Sequence, residues 1–166
     1  MLNEADREEI AALAERGMPM VEQTIALYTA AVGIPNRFAL GIYDADEGGD
    51  GYAAVGSVES RAIAEFKIAE GDWGERNYLD TARSKAKVTL RTGRDSGDVG
   101  QHAPELLLEG EPRMAGAIQT TINGKAVVLG TSGLRQTEDE LMGKLLIEAM
   151  KRLSGEYAQG GGRPAR

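Results

Sequence analysis

Residues 114–129, MAGAIQTTINGKAVVL, place the pair Asn123-Gly124 between two segments rich in residues that favour β-strands. Asn-Gly is the pair that a type I′ turn prefers, because both of its central residues adopt positive φ angles. The stretch therefore predicts an antiparallel hairpin, with strands at residues 114–122 and 126–129. This hairpin is the strongest local indication of a sheet in the chain.

Two more strands are predicted on the N-terminal side of the hairpin. In residues 37–43, Phe38, Leu40 and Ile42 alternate with other residues, which is typical of a strand with one buried face. The second strand is predicted at residues 62–68. The Asp- and Gly-rich stretch 44–56 between them predicts a long loop, with a short strand at 52–55 as an open alternative.

The helical spacing of apolar residues predicts four helices around these strands, at residues 3–15, 19–31, 75–92 and 137–153. Gly17 and Pro19 are expected to separate the first two helices, and Gly93 to end the third. The last helix is predicted to open with a capping box, Thr137-Glu138-Asp139-Glu140. Its expected inner face consists of Leu141, Leu145, Ile147, Ala149, Met150 and Leu153.

The order of these elements predicts the fold class. A strand pair, a helix, a hairpin and a closing helix indicate an α+β protein, with an antiparallel sheet of about five strands flanked by helices. Residues 1–154 are expected to form a single domain. Residues 155–166 include three consecutive glycines and a proline, and they predict a flexible C-terminal tail.

Composition limits the kinds of partner that the chain is expected to have. It has 166 residues, a net charge of −7 and no cysteine, so disulfides and thiolate metal sites are excluded. The acidic charge disfavours nucleic acid, and no apolar run approaches the ~20 residues that span a bilayer. The polar, acidic start differs from a secretory signal, which predicts a cytoplasmic location with neither nucleic acid nor membrane as partner.

One stretch is basic in spite of the overall charge, through Arg83, Lys85, Lys87, Arg91 and Arg94. If the stretch is helical, these side chains are expected to spread over the outer surface of the helix. A solvated face is the expected interpretation, and an anion-binding site is the alternative.

Three features are candidates for a binding site, each with an ordinary structural alternative. His102 is the only histidine, and it is either a haem-iron ligand or general base, or a surface residue of a loop. Trp73 offers a flat surface for stacking on a ring, or else it caps the core. Residues 130–133, Gly-Thr-Ser-Gly, either hold an anion with their backbone N–H groups and hydroxyls or simply leave the sheet.

Several segments together resemble the GlcG/HbpS-like family, which includes the C-terminal domain of PduO-type proteins. They are a strand ending in aspartate at residues 39–44, a turn at 67–73, an A-x-x-K-A core at 82–86 and a hairpin leading into Ser132-Gly133. The resemblance covers roughly residues 19–154. The sequence departs from the family pattern in a longer loop at 45–60, an altered turn at 67–73 and an altered segment at 109–112.

The resemblance implies a profilin-like α/β/α sandwich, a homo-oligomer, and haem or tetrapyrrole binding in some members. For a haem-binding protein, His102 is the axial candidate, with Thr131 and Tyr52 as weaker ones. Contacts with the macrocycle are expected from Trp73, Tyr78 and Met114, and contacts with its propionates from Arg76, Arg83 or Lys87. Storage, sensing and degradation are the corresponding roles.

Two alternatives use the same fold differently. The first is an enzyme acting on a small anionic organic substrate, with acid–base chemistry from Glu65, Asp72 and Glu75, and Arg76 or Arg113 holding a carboxylate. The second is a noncatalytic oligomeric accessory subunit. The haem-binding hypothesis and the enzyme hypothesis both require a cleft where the turns at residues 72–76 and 130–133 approach each other.

Overall fold

The computed structural model describes residues 1–46 and 56–159 and contains, within them, one four-stranded antiparallel sheet. Its strands are β1 Phe38–Asp44, β2 Ala62–Ile68, β3 Ala117–Ile122 and β4 Lys125–Ser132, and their order in the sheet is β2-β1-β4-β3. The predicted antiparallel sheet is confirmed with four described strands instead of about five. The short strand suggested at 52–55 lies outside the described residues.

The hairpin predicted around Asn123-Gly124 is present. Ile122 pairs with Lys125 at the end of the β3–β4 ladder. Asn123 and Gly124 between them have φ angles of 49° and 75°, the positive values that a type I′ turn requires. Residues 114–116, expected in the first strand, precede it instead.

Five α-helices are described: α1 Glu4–Val32, α2 Tyr78–Thr92, α3 Ser96–His102, α4 Gln136–Leu153 and α5 Glu156–Gln159. The helix α3 ends at His102, which was expected to lie in a loop, and α5 lies in the predicted tail, whose last residues are outside the described part of the chain. No helix within the described residues is both long and apolar enough to cross a membrane.

The two faces of the sheet pack against different helices. Phe38, Leu40 and Ile42 of β1 join one apolar core with residues of α1 and α4. The intervening Ala39 and Tyr43 pack on the other side, where α2 lies. This alternation follows from the two-residue period of a strand and gives three layers, α/β/α. The expected α+β sandwich is therefore confirmed.

The predicted break between the first two helices is wrong, because α1 continues through Gly17 and Pro19. A proline inside a helix costs about 3 kcal/mol relative to alanine. However, one buried face runs unbroken along the helix, and its packing outweighs this local cost. A Cβ atom on Gly17 would lie 2.8 Å from Leu146 Cδ1 and 3.3 Å from Ala149 Cβ, so this glycine lets α1 approach α4 closely.

The start and inner face of α4 also differ from the prediction. The helix begins at Gln136, and its N-cap is Arg135, whose backbone N–H donates to Glu138 Oε2 at 3.1 Å. The capping box predicted at Thr137 is therefore wrong. Of the expected inner face, Leu141 is 58% exposed, and Leu153 is exposed as well. Buried positions of the helix include Asp139, Met142, Gly143, Leu146, Ile147, Ala149 and Met150.

Candidate functional site

A buried ion pair joins α2 to α4 at the end of the sheet. The Lys85 ammonium lies 3.1 Å from Asp139 Oδ2, and it also donates to the carbonyl oxygen of Thr131 at 2.9 Å. The other oxygen of Asp139 accepts the backbone N–H of Leu134 at 2.9 Å. Lys85 is 1% exposed and Asp139 2% exposed. A buried charge requires such partners, because an unpaired one is strongly disfavoured away from water.

The burial of Lys85 contradicts the prediction that the basic residues spread over the outer surface of the helix. Its neighbours Ala82, Ala86 and Thr89 also lie on the inner face of α2. Lys85 is three positions after Ala82 and four before Thr89, which is the spacing of one helix face. This periodicity was the available signal, and the interpretation of the basic run as a solvated surface overlooked it.

Glycines provide the space that this ion pair needs. Gly116 has a φ angle of 137°, and a Cβ atom there would lie 2.7 Å from the Thr131 carbonyl oxygen and 2.8 Å from Lys85 Nζ. Both the backbone N–H and the hydroxyl of Thr131 donate to the Gly116 carbonyl oxygen. On β4, a Cβ atom on Gly130 would lie 2.3 Å from the Ala82 carbonyl oxygen, so α2 lies directly on the strand.

Burial changes the acid–base properties of the pair. Desolvation raises the pKa of Asp139, and the nearby Lys85 ammonium and the Leu134 N–H oppose that shift. A carboxyl group with a raised pKa next to an ammonium group is an arrangement capable of proton transfer.

A cleft of about 510 Å³ opens above this pair. Four cationic side chains and one carboxylate line it: Arg37, Arg76, Lys85, Arg135 and Asp139. Within the described residues, the three arginines take part in no ion pair, whereas five of the other eight described arginines do. In a chain of net charge −7, this local excess of positive charge favours an anionic ligand.

Two buried donors in the cleft lining have no hydrogen-bond partner in the described part of the chain. They are Arg37 Nε and the hydroxyl of Tyr78, a residue only 8% exposed. The Arg37 guanidinium lies over the Tyr78 ring, 5.3 Å from its centroid. Leaving a buried donor without a partner costs about 1–3 kcal/mol, so a ligand that accepts from these donors regains part of that free energy.

Both flanking helices direct their N-termini towards the cleft. Asn77 and Tyr78, at the start of α2, line it together with Arg135 and Gln136, at the start of α4. A helix N-terminus carries partial positive charge and therefore adds to the attraction for anions.

The predicted cleft between two turns is present in part. Arg76 from the first turn and Ser132 and Gly133 from the second line the same cavity. Thr131 is fully buried beneath this cavity, and its hydroxyl donates to the carbonyl oxygen of Gly116. Trp73 is 5% exposed and donates its indole N–H to the Ile68 carbonyl oxygen at 2.9 Å, so it caps the core and offers no free face for stacking.

The predicted acid–base residues lie elsewhere. Glu65 on β2 accepts from Arg83 through both oxygens, at 2.8 and 2.7 Å, and from the Tyr43 hydroxyl at 3.1 Å. Hydrogen bonds from Arg83 lower the pKa of Glu65, while burial opposes the shift. Asp72 and Glu75 are exposed on the surface. The structure does not bring these three carboxyl groups together in the cleft.

His102 lies at the end of α3 in an adjoining hollow, which shares Met114 and Gln136 with the cleft. Its side chain is 62% exposed, and its Nδ1 lies 3.0 Å from Asp98 Oδ1. Such a hydrogen bond orients the ring and leaves Nε2 directed away from the carboxylate. Among the described residues, no group of three or more acidic or imidazole side chains is placed to bind a metal ion.

Solved structures of other proteins share this fold. A double mutant of HbpS from Streptomyces reticuli superimposes with a TM-score of 0.56 at 15% identity, over 89% of this chain and 84% of that one. Ybr137w gives 0.55 at 15% identity, over 96% and 82% of the two chains. A complex of PduOC with heme gives 0.51 at 14% identity, over 89% and 94%. No protein-family model and no curated protein matches the sequence.

These likenesses define the class of fold, a three-layer α/β/α sandwich with an antiparallel sheet. The chain has the GlcG/HbpS-like fold that the sequence resemblance implied. At these identities the agreement concerns the fold alone.

Proposed function

We propose that the chain binds an organic anion in the cleft above Lys85, and that haem or a related tetrapyrrole is this ligand. The observation that carries the proposal is the set of arginines without ion-pair partners around a buried lysine, within the described residues. Haem has two propionates, and arginine suits carboxylates because its planar fork forms two parallel hydrogen bonds. The PduOC structure with heme supports the same ligand class in this fold.

The residues present fit such a ligand. Arg37, Arg76 and Arg135 would hold the propionates, and His102 in the adjoining hollow would bind the iron through Nε2, with Asp98 orienting the ring. When bound, haem would supply a redox-active iron whose properties depend on the residue that holds it. The protein's own contribution is to pair the carboxylates and to orient the imidazole.

A hemin titration of the purified chain tests this function. We expect a Soret band that saturates at a defined stoichiometry. Arg76→Gln should lower the affinity for hemin at least tenfold, and His102→Ala should shift the position of the band. Arg16→Gln is the matched control, because it removes the same charge from an exposed site on α1. Absence of a specific band would exclude haem, and a band unaltered in His102→Ala would exclude this axial ligand.

A second candidate function is catalysis on a small organic acid. The Lys85–Asp139 pair favours it, since an ammonium and a carboxyl of raised pKa border one cleft. The cleft volume of about 510 Å³ also suits a small molecule. Strong thermal stabilisation by one acid from a panel, with none by hemin, would favour this candidate.

The homo-oligomer, the cytoplasmic location and the accessory-subunit role stay predictions. Light scattering of the purified chain over a range of concentrations measures the oligomeric state. A stable oligomer that responds neither to hemin nor to any acid of the panel would favour the accessory-subunit role.

A further inference from the structure

We propose that the cleft contains two separate carboxylate subsites and that its ligand is therefore an organic dicarboxylate. The inner subsite is formed by Arg37 and Tyr78, and the outer one by Arg76 and Arg135. The inference rests on the proposed anion binding in this cleft, but it does not depend on whether the ligand is a tetrapyrrole. A small aliphatic dicarboxylate and a tetrapyrrole with two propionates share the chemistry that the two subsites recognise.

The inner subsite is defined by its donors without partners in the described residues. Arg37 Nε and the Tyr78 hydroxyl are both buried, and both residues line the cleft. A carboxylate that reaches both donors would give each of them the acceptor that it lacks. Lys85 adds charge below them: its ammonium has three N–H donors, and two of these go to Thr131 and Asp139.

The outer subsite lies at the starts of the two helices. Arg135 is the N-cap of α4, and Arg76 immediately precedes Asn77, the N-cap of α2. Both arginines are exposed, and neither has an ion-pair partner in the part of the chain that the structure describes. A second carboxylate here gains from two guanidinium groups and from two helix N-termini.

The carboxylate at the bottom of the cleft favours this ligand over a phosphate. Asp139 lies next to Lys85, so a phosphate dianion in the inner subsite would place its extra charge near a like charge. A singly charged carboxylate roughly halves this repulsion. A monocarboxylate, in turn, would leave the outer arginines without a partner.

Calorimetric titration of the intact chain with matched pairs of ligands tests the inference. Succinate and glutarate are compared with butyrate, and inorganic phosphate is included as a further probe. We expect at least one dicarboxylate to bind at least tenfold more tightly than butyrate, as a second charge-assisted contact implies. In a parallel arm, hemin is compared with its dimethyl ester, which keeps the iron and blocks both carboxylates.

Variants separate the two subsites. Arg76→Gln and Arg135→Gln are expected to lower dicarboxylate affinity towards that of butyrate while leaving butyrate affinity within about twofold. Tyr78→Phe removes only the inner hydroxyl, and it is expected to weaken both ligands about tenfold or more. Arg16→Gln is expected to change neither affinity.

The outcomes distinguish this inference from the proposed function. Equal affinities for mono- and dicarboxylates, or tighter binding of phosphate, would overturn the two subsites while anion binding in the cleft stands. Hemin and its dimethyl ester binding equally well would exclude the propionates as the recognised groups. If hemin and every small anion fail to bind, both the inference and the proposed function are wrong.

Discussion

Arg83 and Lys85 are two positions apart on α2, yet Arg83 forms a partly exposed ion pair and Lys85 a buried one. Arg83 is partly exposed, and both Glu65 oxygens accept from its guanidinium. Lys85 is buried beneath a cleft where arginines have no ionic partner within the described residues. Arg83 also pairs with Asp80 and Glu59, so its charge is balanced by several carboxylates, while the Lys85 pair borders the cleft. The side of the helix on which each residue lies determines this difference.

The largest effect is expected from removing the buried cation. In Lys85→Met, the Asp139 carboxylate loses its partner inside the protein, which we expect to lower the free energy of unfolding by about 3–5 kcal/mol. Urea denaturation measures the loss. The double variant Lys85→Met/Asp139→Asn also removes the unpaired carboxylate charge, and it should recover at least half of the lost stability. A single variant as stable as the parent would show that the buried pair is not required.

A somewhat smaller effect is expected at Gly116, which makes room for Lys85. In Gly116→Ala, the new methyl group would overlap the Thr131 carbonyl and the Lys85 ammonium at a backbone angle that alanine disfavours. We expect a loss of about 1–3 kcal/mol in thermal or urea unfolding. Gly110→Ala is the control, because it also has a positive φ angle but open space around the new methyl group. Equal losses in the two variants would mean that contact with the ion pair contributes nothing.

The ion pair of Arg83 with Glu65 is expected to stabilise the fold by about 1 kcal/mol, and this contribution should depend on pH. Arg83 lowers the pKa of Glu65 below its ordinary value of 4.5, so the folded state binds this proton less readily than the unfolded state. The stabilisation is present above that ordinary value and is lost as pH falls through the folded pKa. The stability difference between the parent and Glu65→Gln should therefore shrink at acid pH, and a difference that grows there would contradict the assignment.

The smallest effect on folding is expected at the mouth of the cleft. Arg76 is exposed, so we expect Arg76→Gln to change the free energy of unfolding by less than about 0.5 kcal/mol. Ligand affinity should nevertheless fall about tenfold or more. Denaturation and ligand titration of one preparation measure both quantities. A large loss of stability would mean that Arg76, like Lys85, is required for the stability of the fold.

The sequence predicted the elements whose signals are local. The Asn123-Gly124 turn, the alternation in β1 and the apolar face of α2 depend on neighbouring residues only, and each was identified correctly. The continuity of α1 through Pro19 was missed, because packing on α4 outweighs the local preference.

The site was harder to predict because its residues are distant in the chain. Lys85 and Asp139 are 54 positions apart, and no local pattern pairs them. Arg76 was named as a candidate and lies in the cleft, whereas Trp73, three positions earlier, packs in the core. The orientation of a side chain at the end of a turn depends on packing that the sequence does not display.

The close approach at Gly17 has a consequence for the folding of the chain. The apolar face of α1 packs against Leu146 and Ala149 of α4, the first long helix against the last. Contacts between such distant segments slow folding, because a large loop has to close before they form. During synthesis on the ribosome, the part of the α1 face that packs on α4 therefore stays uncovered until α4 has emerged, and it is open to chaperones in that interval.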